Sequence, residues 1–402
     1  MKQIKILSLF LILIISGCSQ VNKAADFITN PTAKEKYKRD FKVSDELFSI
    51  WENSVEIAFQ DSVSVNLPYA ETGKFFPRNF SVYSYEIELQ PGEVFNVEVE
   101  TDSIRRLVFI ELFEKTSDST NLFEKVKSSD FQKKNLSFEA DKKANYKLVI
   151  QPEIEAYTAF TIKMEKNPAY LFPVASGVNA SVQSYWGDNR DGGARSHEGI
   201  DIFSKRGTPV VAATSGSIGY TGEKGLGGKQ VWLRDRKRNQ SLYYAHLDSI
   251  ANVSGNVKRG DTLGFVGNTG NARTTPPHLH FGIYKSYRGA INPLHFVYQT
   301  NVLETEPEKL DSIPHKLIVQ NSKANLRNKP TTSNSKILST SESQDTLQFL
   351  GKTNEWFHVR NPENKASFIH QSLVTPNSPL TPKGGINQIF MAQDWDKFRE
   401  LC

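Results

Sequence analysis

Apolar and polar residues alternate with a period of two through much of the first half of the chain. Tyr83, Tyr85, Ile87 and Leu89 are separated by Ser84, Glu86 and Glu88. The turn Gln90-Pro91-Gly92-Glu93 follows, and Phe95, Val97 and Val99 then resume the alternation. Successive side chains of a strand point to opposite faces, so the pattern predicts paired strands with one face buried. Leu107–Phe113, Tyr146–Ile150 and Phe160–Met164 extend the series. Strands at this spacing predict an antiparallel β-sandwich over residues 46–165. The polar stretch 19–45 before it reads as a spacer with room for one short helix. Residues 166–300 are glycine-rich, with short strands expected at Thr208–Ala213, Gln230–Leu233, Leu242–Ala245, Thr262–Val266 and His278–Tyr284. Residues 301–314, with Glu304, Glu306, Pro307 and Glu308, read as a linker. Short β runs over 315–376 predict a small barrel. In the tail, 377–402, Met391, Trp395, Phe398 and Cys402 fall at helical spacing and predict a terminal helix packed on its own protein. The expected fold class is all-β.

A chain of 402 residues is long enough for several cores. Its 38% hydrophobic and 23% charged residues exclude disorder over most of the length. The formal charge of +5 is mild. No stripe of Arg and Lys with interleaved aromatics occurs, so no nucleic-acid partner is expected. The basic run Arg234-Asp235-Arg236-Lys237-Arg238 reads as a solvated hairpin turn. The two cysteines, Cys18 and Cys402, make no disulfide framework. Cys18 is informative by position. Lys2 and Lys5 precede an apolar run from Ile6 to Ile15, too short to span a bilayer, and Ser16-Gly17 then lead into the cysteine. Residues 1–18 thus resemble a bacterial lipoprotein signal, with lipidation at Cys18 and a membrane anchor on the mature chain. The expected location is the bacterial cell envelope, on the extracytoplasmic side.

Four of the eight histidines lie in three short contexts within 166–300: Ser-His197-Glu-Gly-Ile-Asp201-Ile, Tyr-Tyr-Ala-His246-Leu, and Pro-His278-Leu-His280-Phe. His-x-x-x-Asp is weak by itself; here a glycine between the two residues allows the chain to bend so that they converge. Glu198, adjacent to His197, would face the other way on an extended chain and is not taken as a general base. On a strand, His278 and His280 share a face at about 7 Å along the backbone. Imidazole and carboxylate are the usual ligands of a zinc ion that keeps one position open. If His197, Asp201 and one histidine of the pair hold such an ion, two histidines remain to move protons. His-Glu-x-x-His is absent, which excludes a helix-based site with a glutamate base. His295, in an apolar setting, reads as packing. Residues 46–165 hold no histidine or cysteine, so no such site is expected there.

Residues 170–296 resemble the lysostaphin/LytM-type zinc endopeptidase family. The matching stretches are the run from Gly193 to Phe203, Gly207–Ile218, Tyr243–Leu247, Val257–Gly270, Pro277–Ile283 and Ile291–Pro293. The resemblance implies one Zn2+ per chain held by His197, Asp201 and His280, with His246 and His278 acting in catalysis. Pro276 departs from the family's usual glycine but lies outside these positions. Residues 315–376 resemble a bacterial SH3-like domain through Asn325-Leu326-Arg327, Leu350-Gly351, Trp356-Phe357 and Phe368-Ile369-His370. A common glycine of that domain is replaced near Lys365-Ala366, and His358 and His370 read as structural. The two resemblances imply a lipid-anchored endopeptidase acting on peptidoglycan. Alternatives are a non-catalytic regulator of other wall hydrolases, as in relatives that have lost ligands, and a peptidase acting on proteins.

Overall fold

The computed structural model describes residues 26–27, 29–117, 122–286, 288–303 and 314–376. Cys18 with its signal segment, most of the 301–314 linker and the C-terminal helical stripe lie outside them. Among the described residues the chain is strand-rich, and no helix is long and apolar enough to cross a membrane.

Residues 46–60, expected to open the sandwich, are helical instead. Helices span Ala33–Asp40, Asp45–Asn53 and Val55–Gln60. Thr32 and Glu35 form a reciprocal capping box on the first, and the Ser44 hydroxyl accepts from Leu47 N–H on the second. Tyr37, Phe48 and Trp51 pack on Leu107, Phe109 and Ile154, while Val55 and Ala58 pack on Val82, Phe113 and Val149. The helices thereby cover the outer face of a four-stranded sheet, Tyr83–Leu89, Ala144–Pro152, Val108–Lys115 and Phe123–Ser128, given in spatial order. Its inner face (Tyr85, Ile87, Ile110, Leu148) shares one core with Phe95, Val97, Phe160 and Ile162 of a second sheet.

The second sheet does not end where the first half of the chain ends. Glu93–Thr101, Thr158–Pro168 and Tyr69–Phe75 lie side by side, and Tyr69–Phe75 then pairs antiparallel with Thr346–Thr353, at Thr72 opposite Lys352 and Gly73 opposite Gly351. The sheet continues through Trp356–Arg360, Ala366–His370, Lys323–Arg327 and Ile337–Glu342. Two buried polar clusters fasten this joint. Glu71 accepts from Tyr69 OH (2.6 Å), Tyr85 OH (2.8 Å) and His358 Nδ1–H (3.0 Å). Arg360 donates to Asp61 Oδ2 (3.0 Å) and to the Val82 carbonyl (3.1 Å), while Ala366 N–H donates to Asp61 Oδ1 (2.9 Å).

Residues 182–291, between the two partners of that joint in sequence, form a separate ten-stranded sheet with its own core of Ile200, Ile202, Val231, Leu242, Tyr244, Leu279, Phe281 and others. Arg238, expected in a solvated turn, is drawn to the first half of the chain: its guanidinium is bidentate on Glu139 and also reaches Asp235.

Candidate active site

At the centre of the ten-stranded sheet, His278–Lys285 lies between Gln240–Ile250 and Ile200–Phe203. Register places Asp201, His280 and Ala245 in one row across the three strands, with Phe203 opposite His278. Because side chains alternate, His278, His280, Gly282 and Tyr284 share a face. Apolar residues on the reverse, Leu279, Phe281 and Ile283, are fully buried and fix which face that is. Fully burying each stabilises the sheet by about 1.5–3 kcal/mol.

His246 is the exception to alternation. Its neighbour Ala245 already faces His280, so regular strand geometry would turn His246 to the other side. The backbone at His246 is left-handed (φ 63°), and the register slips so that Ala245 and His246 together oppose Gln230. This bulge re-aims the side chain, which ends with its ring centroid 5.1 Å from His278 and 5.9 Å from His280.

His197 Nε2, Asp201 Oδ1 and His280 Nδ1 stand 3.0 Å from one another. His197 Nδ1 lies 2.8 Å from the Tyr185 carbonyl, which only accepts, so the ring donates there and a neutral His197 turns a lone pair inward. Three converging acceptors repel unless a cation or a proton sits among them. Ligands on a tetrahedral ion with bonds of roughly 2.0–2.1 Å stand roughly 3.3 Å apart, so a small relaxation seats zinc here. Among the described residues these three form the one cluster able to hold a metal ion. Burial pushes the Asp201 carboxyl up, but with protons in place of a metal ion the His197 and His280 rings donate to it, outweigh burial and hold the group well below the usual carboxylate range.

The other two histidines are set alike. His246 Nδ1–H donates to the Thr269 carbonyl (2.9 Å) and His278 Nδ1–H to that of Pro276 (2.9 Å). Each therefore keeps its Nε2 lone pair free. Burial, reinforced by the neighbouring His280 and His278, lowers the His246 pKa to about 4. Burial also lowers that of His280, against the pull of Asp201.

The glycine of His-Glu-Gly-Ile-Asp acts by close approach instead of bending. A Cβ on Gly199 would lie 2.6 Å from the Phe281 carbonyl and 2.7 Å from the His280 ring, and its backbone is not left-handed. Glu198 stays out of the cluster and accepts from Tyr284 OH at 3.4 Å. His295 faces Glu93 at 3.9 Å, His358 is sealed at the sheet joint, and His370 contacts Ser372 and Glu355. Sequence reasoning passed over Arg190, which donates to Asp201 Oδ2 at 2.8 Å, and the aromatic cluster of Trp232, Tyr243 and Tyr284 around Gly282. The i, i+2 relation of Tyr284 to Gly282 and His280 was the signal available for part of that cluster.

Residues 195–293 match Peptidase family M23. The chain is 38% identical over 125 residues to the L-Ala--D-Glu endopeptidase of Bacillus subtilis, covering 29% of this chain and 38% of that protein. It is 45% identical over 87 residues to DD-carboxypeptidase/endopeptidase Mpg of Neisseria meningitidis, covering 22% and 20%. The chain thus spans well under half the length of these curated relatives. Among solved structures, the catalytic domain of lysostaphin from Staphylococcus simulans is similar, with 34% identity over 28% of this chain and 89% of that one, at a TM-score of 0.26.

Proposed function

We propose, from the match of residues 195–293 to Peptidase family M23, that this chain is a zinc metalloendopeptidase hydrolysing peptide bonds in peptidoglycan stems or cross-links. The observation that carries the reading is the triangle of His197 Nε2, Asp201 Oδ1 and His280 Nδ1 with two further imidazoles against it. Two imidazole nitrogens and one carboxylate oxygen match a catalytic zinc site with an open fourth position. When bound, zinc lowers the pKa of a coordinated water and polarises the scissile carbonyl.

His246 and His278 handle protons. Each is fixed by an Nδ1–H bond to a carbonyl, so its Nε2 can accept a proton from the attacking water and later deliver one to the leaving amine. The pKa of about 4 keeps His246 neutral near pH 7, which suits it to accept. Protonated, either imidazolium also offers charge to the tetrahedral oxyanion.

The relatives' names, an L-Ala--D-Glu endopeptidase and a DD-carboxypeptidase/endopeptidase, support the substrate class, because bonds to D-amino acids mark peptidoglycan peptides. We read Cys18 as lipidated, which would hold the enzyme at a membrane on the extracytoplasmic side of the envelope, and residues 315–376 as an SH3-like barrel beside a sandwich in the first half of the chain. A regulator lacking catalysis is disfavoured because all five site residues are in place. Digestion of purified peptidoglycan by the zinc-loaded protein, followed by mass analysis of soluble fragments, tests the proposal. New amino termini that vanish on chelation are expected. Intact peptidoglycan, or cleavage that survives chelation, would overturn it.

A further inference from the structure

Asp201 uses its two oxygens differently. Oδ1 meets His197 Nε2 and His280 Nδ1, each at 3.0 Å, whereas Oδ2 is capped by Arg190 Nη2 at 2.8 Å. Arg190 is held for this task. It lies in a two-stranded hairpin in which Asn189 and Arg190 pair with Ser196 and Arg195, and that hairpin runs directly into His197. His197 N–H donates to the Asp188 carbonyl (2.9 Å), and Gly187 N–H donates to the His197 carbonyl (3.0 Å). Ser184 Oγ accepts from Arg190 and lies 3.3 Å from His197 Nδ1. Segment 184–190 therefore holds the outer atoms of two of the three proposed ligands.

We propose that Arg190 is a positioning residue that commits Asp201 to ligation through one oxygen and so keeps a coordination position free for the reacting water. The inference rests on the metallopeptidase reading. A carboxylate with no partner on its second oxygen can turn both oxygens onto the ion, which fills the position the water needs. Arginine suits the role because its charge is permanent and its planar donors set direction as well as attraction.

The test uses the full chain as wild type, Arg190→Gln and Arg190→Lys, stripped of metal. Zinc affinity is read by chelator competition, and coordination number by the visible absorption of the cobalt(II)-substituted protein. Arg190→Gln should bind zinc about 10–100-fold more weakly. Its cobalt spectrum should lose intensity, as a four-coordinate site does on becoming five-coordinate. Arg190→Lys, which restores charge without the fork, should fall between. Wild-type zinc affinity and cobalt intensity in Arg190→Gln would overturn the inference and leave the metal site standing. A lower melting temperature of the metal-free variant with an unchanged cobalt spectrum would also overturn it, because the role would be structural only. A wild type that takes up neither metal would overturn both readings.

Discussion

Asp61→Ala tests whether the two ends of the chain form one cooperative body. Asp61 follows the third helix, and Arg360 lies 299 residues later; their side chains are only 1% and 6% exposed. Removing the carboxylate strands a buried guanidinium and leaves Ala366 N–H and the Ser84 hydroxyl without their acceptor. Loss of one partner from a buried pair costs roughly 3–5 kcal/mol. In a cooperative unit of roughly 150–250 residues, each kcal/mol moves the midpoint by about 2–4 °C, so the expected drop is roughly 6–20 °C. Replacing both partners, Asp61→Leu with Arg360→Met, removes the stranded charge and should recover most of the loss. Calorimetry gives the midpoint, and hydrogen exchange resolved by peptide shows which strands open. Tyr69–Phe75 and Thr346–Thr353 should lose protection together, while Gln240–Ile250 keeps its own. An unchanged midpoint, or opening of residues 316–376 with Tyr69–Phe75 still protected, would refute the reasoning.

Gly199→Ala places a methyl group against the Phe281 carbonyl and the His280 ring; zinc affinity by chelator competition should fall at least about 10-fold, as for disturbed ligand support, and an unchanged affinity would show that the strand yields. In the metal-free protein, the His246 ring should titrate by NMR with a midpoint at about 4, and a midpoint near 6.5 would refute its burial. The sign follows: the unfolded chain binds this proton first, so the contribution of His246 to stability is complete above pH 6.5 and is lost as pH falls towards 4.

The strands that bury one face were legible because alternation records burial: Tyr83–Leu89 and Glu93–Thr101 stand where the period of two placed them. His278 and His280 were legible for the same reason. The helices over 45–60 were missed although Phe48, Trp51, Val55 and Ala58 repeat at three and four residues and Ser44 offers a cap. That signal places the first strand after residue 60, later than the expected start at 46. The inward turn of His246 was not legible, since a left-handed residue at a bulge leaves no mark in the pattern of side chains. Nor was the joint through Glu71, His358, Asp61 and Arg360. Pairs separated by 287 and 299 residues have no local signature, and each residue alone resembles an ordinary surface charge.

Zinc content and peptidoglycan turnover, measured together on wild type, His246→Ala and His280→Ala, test the division between metal-holding and proton-handling residues most directly. Wild type should carry one zinc per chain and cleave. His280→Ala should lose both metal and turnover, whereas His246→Ala should keep the metal and lose most turnover. Equal zinc loss in the two variants, or full turnover in either, would contradict the proposed site.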